Sequence, residues 1–220
     1  MILCIQDILN PQQVRDACQL LERVAWIDGR KTAGWHAKLV KNNRQADSAS
    51  PQAGSLRANL LDQIKTNEVF RLAARPRFIS PLLLSRYDKG MGYGLHVDDA
   101  LMDGLRTDIS FTLFLSDPDG YSGGDLTMST TAGEQSFKLP AGSLILYPST
   151  TLHRVEEVTK GTRLAAVGWV QSYVRDAACR EILFDLDTAR LSLFQREGKT
   201  TEFDLMSKSA ANLLRLWAET

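Results

Sequence analysis

The chain predicts an α+β protein with helical regions at both ends and a β-rich middle that closes as a double-sheet jelly roll or barrel. Three observations carry this. Apolar residues keep helical spacing over 11–25 and 55–74, and about eight short β-like runs divided by turn residues fill 78–173. Helical spacing then returns from Val174. A length of 220 residues suits one domain with an appendage. The expected division is an N-terminal helical and strand region at 1–77 packing on the core, a β domain at 78–173 and a C-terminal helical extension at 174–220.

Residues 2–5 read as a short first strand. Asn10 then has the chemistry of an N-cap, with Pro11 at the first helical position and Gln13 completing a capping box. Val14, Ala17, Cys18, Leu21, Val24 and Ala25 hold helical spacing, so an amphipathic helix is expected over 11–25. Residues 28–54 are polar and irregular, with a strand expected over 37–41. A second helical region spans 55–74, restarted at Asn67 and ended by Pro76. Strands are then expected at 77–87, 93–98, 107–115, 126–129, 135–139, 143–147, 152–158 and 163–172. Asp117-Pro-Asp-Gly, Ser122-Gly-Gly, Ala132-Gly, Pro140-Ala-Gly and Lys160-Gly supply turns between them. Cys179, Ile182, Leu183, Leu186, Ala189 and Leu193 form one apolar helical stripe. Met206, Ala210, Leu213, Leu214 and Trp217 form another, beyond Glu197-Gly-Lys. The stripes suit packing on the barrel or pairing with a second copy, a homodimer through the C-terminal helices.

Composition narrows the function. Lys plus Arg equals Asp plus Glu at 26 each, so no global field favours nucleic acid or an anionic membrane. No apolar run reaches the length of about 20 residues that spans a bilayer. The N-terminal segment lacks the pattern of a secretory signal. Three scattered cysteines, Cys4, Cys18 and Cys179, fit a reducing compartment, so a cytoplasmic protein is expected.

The chemistry concentrates in Ser85-Arg-Tyr-Asp-Lys-Gly-Met-Gly-Tyr-Gly-Leu-His-Val-Asp. Strand side chains alternate faces, so His96 and Asp98 are expected on one face, and Asp99 on the other. A His from a separate strand would complete a set of two imidazoles and one carboxylate, which leaves open positions on Fe(II). His153, in Leu152-His-Arg-Val, is that candidate; His36, beside Trp35, has no ligand-type partner at a sensible spacing. Arg163 follows ten residues after His153. If the two lie on consecutive strands of a hairpin, a three-residue loop over 159–161 with Gly161 left-handed sets Arg163 opposite Glu157 and on the face of His153. Lys41-Asn-Asn-Arg reads as a solvated loop, the alternative being a stretch that lines the entrance and touches substrate. Gly123-Gly124 reads as a tight turn on the metal side, with Asp125 behind the ligands. Tyr93, Trp169 and Gln171 are candidates to face the pocket.

These phrases, together with Arg106-Thr-Asp, Phe114-Leu-Ser, Gly123-Gly-Asp-Leu, Leu146-Tyr-Pro-Ser and Gly161-Thr-Arg, resemble the Fe(II)- and 2-oxoglutarate-dependent dioxygenases of the prolyl-4-hydroxylase-like type. Across the whole chain the resemblance is to the PKHD-type hydroxylases. It implies a double-stranded β-helix (jelly roll) core, with His96, Asp98 and His153 as catalytic Fe(2+) ligands. It also implies Arg163, with Tyr87, as the site of 2-oxoglutarate, and O2 as the other co-substrate. L-ascorbate as reductant follows from the same resemblance. The implied reaction hydroxylates an unactivated C–H of a peptide, amino acid or small molecule, with 2-oxoglutarate converted to succinate and CO2. A carboxylate at Asp98 speaks against the halogenases of this group, which carry a small residue there. The rival reading is a cupin-like metal- or ligand-binding module without turnover, which leaves Arg163 without a role.

Overall fold

The computed structural model describes residues 1–219. Strand β1 (Leu3–Ile5) is followed by helix α1 (Pro11–Leu21), then β2 (Trp26–Asp28), β3 (Lys41–Asn42) and β4 (Arg44–Ala46). Helices α2 (Pro51–Thr66) and α3 (Glu68–Ala74) lead into β5 (Pro76–Ile79), β6 (Leu83–Asp88) and β7 (Gly92–His96). The two-residue strands β8 (Leu101–Met102) and β9 (Leu105–Arg106) form a small hairpin before β10 (Ile109–Phe114). The barrel continues with β11 (Tyr121–Gly123), β12 (Leu126–Thr130), β13 (Gly133–Phe137), β14 (Leu144–Pro148), β15 (Leu152–Val155) and the 15-residue β16 (Val158–Ser172). Helices α4 (Ala177–Glu197) and α5 (Thr201–Trp217) close the described chain.

Two facing sheets make the jelly roll. The larger runs β1-β14-β10-β16-β6-β4-β2, with β5 and β11 also pairing on β16; the smaller runs β13-β12-β15-β7-β3. All these pairings are antiparallel. Strand β10 is buried at every residue because the larger sheet is covered on both faces. On its outer face Phe111, Leu113 and Leu146 pack with Leu56, Leu60, Ile64 and Phe70 of α2 and α3. On its inner face Phe114, Ile145 and Tyr147 meet Leu126, Met128 and Val155 of the smaller sheet. Phe70 and Phe111 touch edge to face at 5.5 Å.

Local chemistry sets the helix starts. Asn10 Oδ1 accepts the Gln13 N–H at 2.9 Å while Gln13 Oε1 accepts the Asn10 N–H at 2.8 Å, the reciprocal cap expected from the sequence. Helix α1 stops at Leu21 instead of 25, because the chain turns there to feed Trp26–Asp28 into the sheet edge against β4. The second helical region begins earlier than expected, at Pro51, capped by the Ser50 hydroxyl. Asn67 caps the restarted helix through Phe70 N–H at 2.9 Å. The strand expected over 37–41 is a short 3-10 turn, Ala37–Leu39, followed by β3.

The C-terminal helices are held by a polar seam, α4 packing on α3 and α5 on α4. The buried residues of α4 are Arg180, Leu183 and Asp187, whereas Ile182 of the expected apolar stripe is half exposed. Arg180 donates to the Val174 and Arg175 carbonyls at 2.8 and 2.7 Å, and Asp187 takes Arg75 and Arg190. Burying this acid is offset by two guanidinium partners. None of the described helices is long and apolar enough to cross a membrane.

Candidate metal and co-substrate site

The site lies between the two sheets, in a cavity lined by His96, Asp98, His153, Tyr87, Arg163 and Lys41 among others. His96 ends β7 and His153 sits on β15, and the two are directly opposite in the antiparallel ladder. Opposed residues share a face, so both imidazoles enter the barrel together. Their ring centroids are 4.3 Å apart. Asp98 lies two residues beyond the end of β7, so strand alternation, the expected device, does not aim it. Ser110 of β10 does: its hydroxyl donates to Asp98 Oδ2 at 2.6 Å and shares a 2.8 Å hydrogen bond with Ser149. Ligand atoms of His96, Asp98 and His153 all lie within 4.8 Å of one another.

Both imidazoles are held in one tautomer. His96 Nδ1 is 2.8 Å from the Gly94 carbonyl and His153 Nδ1 is 3.0 Å from the Thr151 carbonyl. A carbonyl only accepts, so each Nδ1 carries the proton and each Nε2 presents a lone pair to the carboxylate side. Those Nε2 atoms stand 3.9 and 4.0 Å from the Asp98 oxygens. Burial, then the neighbouring His153, pushes the His96 pKa down to about 4, which keeps its lone pair free at neutral pH. Tyr93 stacks on His96 at 3.6 Å, and Tyr147 meets His153 edge to face at 5.1 Å. The donor set, two imidazoles and one carboxylate, fits a divalent iron.

Arg163 reaches the same cavity from the opposite sheet. It pairs with Tyr87 of β6 and is 1% exposed. The expected hairpin is not formed: β15 belongs to the smaller sheet and β16 to the larger, joined across the barrel by Glu156 and Glu157. Gly161 is left-handed, as expected, but opposes Tyr121 inside the β11–β16 pairing instead of closing a loop. Ligand and guanidinium therefore converge from facing sheets. Among the described residues no carboxylate lies within ion-pair distance of Arg163, its Nε has no hydrogen-bond partner, and the guanidinium lies 5.2 and 5.4 Å from the Tyr87 and Phe114 rings. A buried, unpaired guanidinium is costly unless something anionic meets it. Burial raises the Tyr87 pKa, so its phenol stays a donor.

Other expectations move. Gly124, left-handed, packs at the Arg163 end: a Cβ there would meet Tyr121 and the Arg163 side chain at 3.0 and 3.1 Å. Asp125 offers its carbonyl to Glu156 N–H at 2.9 Å. His36 sits in the loop with Trp35, apart from the ligand cluster. Tyr93 and Trp169 line the cavity. The Lys41–Arg44 stretch is no solvated loop, because β3 and β4 bury Lys41 and Asn43 in the cavity wall. Lys41 Nζ donates to Thr32 Oγ1 at 3.2 Å and lies 5.0 Å from the Tyr93 ring. Burial lowers its pKa to about 8. Ser110 and Ser149 carried no signal in the sequence, since isolated serines in β-like runs look like any others.

Comparison with known proteins bears on family and fold. The sequence profile of the 2OG-Fe(II) oxygenase superfamily matches residues 82–171. A PKHD-type hydroxylase of Picosynechococcus is 54% identical over 219 residues, covering both chains completely. Among solved structures, a Pseudomonas putida prolyl-4-hydroxylase aligns with a TM-score of 0.56 at 20% identity, over 78% of this chain and 92% of that one. HygX from Streptomyces hygroscopicus, solved with nickel and 2-oxoglutarate bound, aligns at 0.56 and 16% identity, over 79% and 84%. These two likenesses show a shared fold.

Proposed function

The chain belongs to the PKHD-type hydroxylases of the 2OG-Fe(II) oxygenase superfamily, and from that premise we propose that His96, Asp98 and His153 hold the iron while Arg163 and Tyr87 receive 2-oxoglutarate. The protein is an Fe(II)- and 2-oxoglutarate-dependent hydroxylase. Bound iron supplies the coupling of 2-oxoglutarate decarboxylation by O2, giving succinate and CO2, to insertion of one oxygen into a substrate C–H.

One observation carries the assignment. A fully buried guanidinium without a protein carboxylate shares its cavity with two imidazoles and a carboxylate. A planar fork matches a ligand carboxylate in a bidentate way. The other side chains have supporting tasks. Ser110 and the Gly94 and Thr151 carbonyls orient the ligands, Tyr93 and Tyr147 wall the imidazoles off from water, and the phenol of Tyr87 donates toward the co-substrate.

The substrate is a peptide or small molecule. Ala33, Ala37 and Met102 in the cavity wall, with exposed Trp35, Leu39 and Leu101 on the same segments, support one with an apolar portion. Three free cysteines support a cytoplasmic setting, and ascorbate is the reductant we assign. Residues 78–173 form the catalytic domain in this reading, completed by 1–77 and braced by 174–220. Exposed Leu205 and Leu216 on α5 support pairing of two copies.

The test is an anaerobic titration of Fe(II)-loaded protein with 2-oxoglutarate. A visible charge-transfer band is expected for the wild type and none for His153→Ala, with succinate formed once O2 is admitted. A protein that binds iron but gives neither band nor succinate would be the cupin-like binding module.

A further inference from the structure

The corner between β3 and β4 carries one buried amide that no protein group meets within hydrogen-bond distance among the described residues. Asn43 is 4% exposed, lines the cavity, and neither its Oδ1 nor its Nδ2 makes a hydrogen bond among the described residues. A buried amide with both ends unpaired costs several kcal/mol unless something meets it, so such groups are rare in native proteins. Its place is specific. Asn42 pairs with Gly92 in the smaller sheet and Arg44 with Arg86 in the larger, so Asn43 stands where the chain crosses between sheets. Arg86 precedes Tyr87, whose partner across the ladder is Arg163. The amide stands near the Tyr87 hydroxyl, where with Arg163 it pulls the Tyr87 pKa down against the larger upward push of burial. A bare backbone at Gly29 makes this placement feasible: a Cβ there would fall 1.8 Å from Asn43 Oδ1, while the Gly29 N–H donates to the Asn43 carbonyl at 3.0 Å.

We propose that Asn43 is a co-substrate-contacting residue, one amide N–H donating to the distal carboxylate of 2-oxoglutarate beside Arg163 and the other turned to the Tyr87 oxygen, which leaves the Tyr87 O–H for the co-substrate. The inference rests on the assignment of Arg163 as anchor. It adds a contact supplied by residues outside the 82–171 match. The side chain is neutral, and that fits: Arg163 brings one positive charge, the distal carboxylate one negative charge, and a further acid would compete with the ligand. An aspartate at position 43 would pair with Arg163 itself.

The experiment compares two 2-oxo acids on anaerobic Fe(II)-loaded enzyme, read by the charge-transfer band. 2-Oxoglutarate has the distal carboxylate; 2-oxopentanoate keeps the chelating end and lacks it. Loss of one hydrogen bond to a charged group predicts that Asn43→Ala lowers the preference for 2-oxoglutarate by about tenfold, leaving 2-oxopentanoate and Fe(II) affinities unchanged. Asn43→Asp, nearly isosteric, is expected to lose more of that preference than alanine does, and decides the matter where the alanine variant folds poorly. Equal weakening of both 2-oxo acids would mean a structural role and overturn the proposal. Unchanged preference in both Asn43 variants, with preference lost in Arg163→Met, would overturn it and leave the anchor standing. Preference retained in Arg163→Met as well would remove the anchor and this inference together.

Discussion

The two ends of the cavity are built differently. At the metal end each of the three ligand side chains already has a protein partner: a carbonyl for each Nδ1 and the Ser110 hydroxyl for Asp98. At the anchor end the Arg163 Nε, the Asn43 amide and the Tyr121 hydroxyl meet no group within hydrogen-bond distance among the described residues. An interior normally satisfies its polar atoms, so the first arrangement is a rigid frame and the second is complementary to a ligand. The contrast teaches where each component of the reaction gets its specificity. In the proposed assignment, metal geometry is imposed by the fold, whereas 2-oxo acid selection comes from polar groups left for the ligand to satisfy.

The largest effect should come from breaking the frame. Asp98→Ala or His153→Ala is expected to abolish iron binding and succinate formation, checked by metal content after desalting and by product assay. The anchor end should behave oppositely toward stability. Arg163→Met is expected to weaken 2-oxoglutarate by about 100-fold or more, from two lost charge-assisted hydrogen bonds. The same change should leave the ligand-free protein as stable or more so in urea, because it removes a buried unpaired charge. A marked loss of stability would erase the contrast. Ser110→Ala tests the frame more gently: a freed Asp98 should cost about 10–100-fold in metal affinity with the fold intact, read by competition with a chelator.

Lys41 gives the smallest and most pH-dependent effect. Its folded pKa is depressed from 10.5 to about 8, so the folded state binds this proton less tightly than the unfolded chain. The burden on stability is therefore full below pH 8 and fades as pH rises toward 10.5. Lys41→Met should stabilise the protein by about 1–3 kcal/mol at pH 7, with the gain shrinking in denaturant melts above pH 8.

Much of this was legible before the structure. The capping box at Asn10, the strand texture after Pro76 and the choice of His96, Asp98, His153 and Arg163 as candidates all rest on local chemistry or on dense motif likeness. The relation between His153 and Arg163 was not. Loop residues at 159–161 satisfy hairpin chemistry equally well within one sheet or across a bulge, and nothing nearby in the chain records that β15 and β16 lie in facing sheets. Lys41 and Asn43 looked solvated for a similar reason. Two polar residues beside Arg44 carry no mark of burial until β7 and β6 close over them. The stripe on α4 misled in the other direction, since Arg180 and Asp187 take the buried face once partners for their charges are supplied from elsewhere in the fold.

The amino-acid order alone named the candidates for the site, because ligand type, guanidinium and strand-forming runs are properties of residues and their near neighbours. Tertiary structure decided which side chains meet: Ser110 behind Asp98, Asn43 beside Tyr87, Arg163 across from the imidazoles. Those meetings depend on the stacking of two sheets whose strands are distant in the chain, and burial, pairing and pKa follow from that stacking.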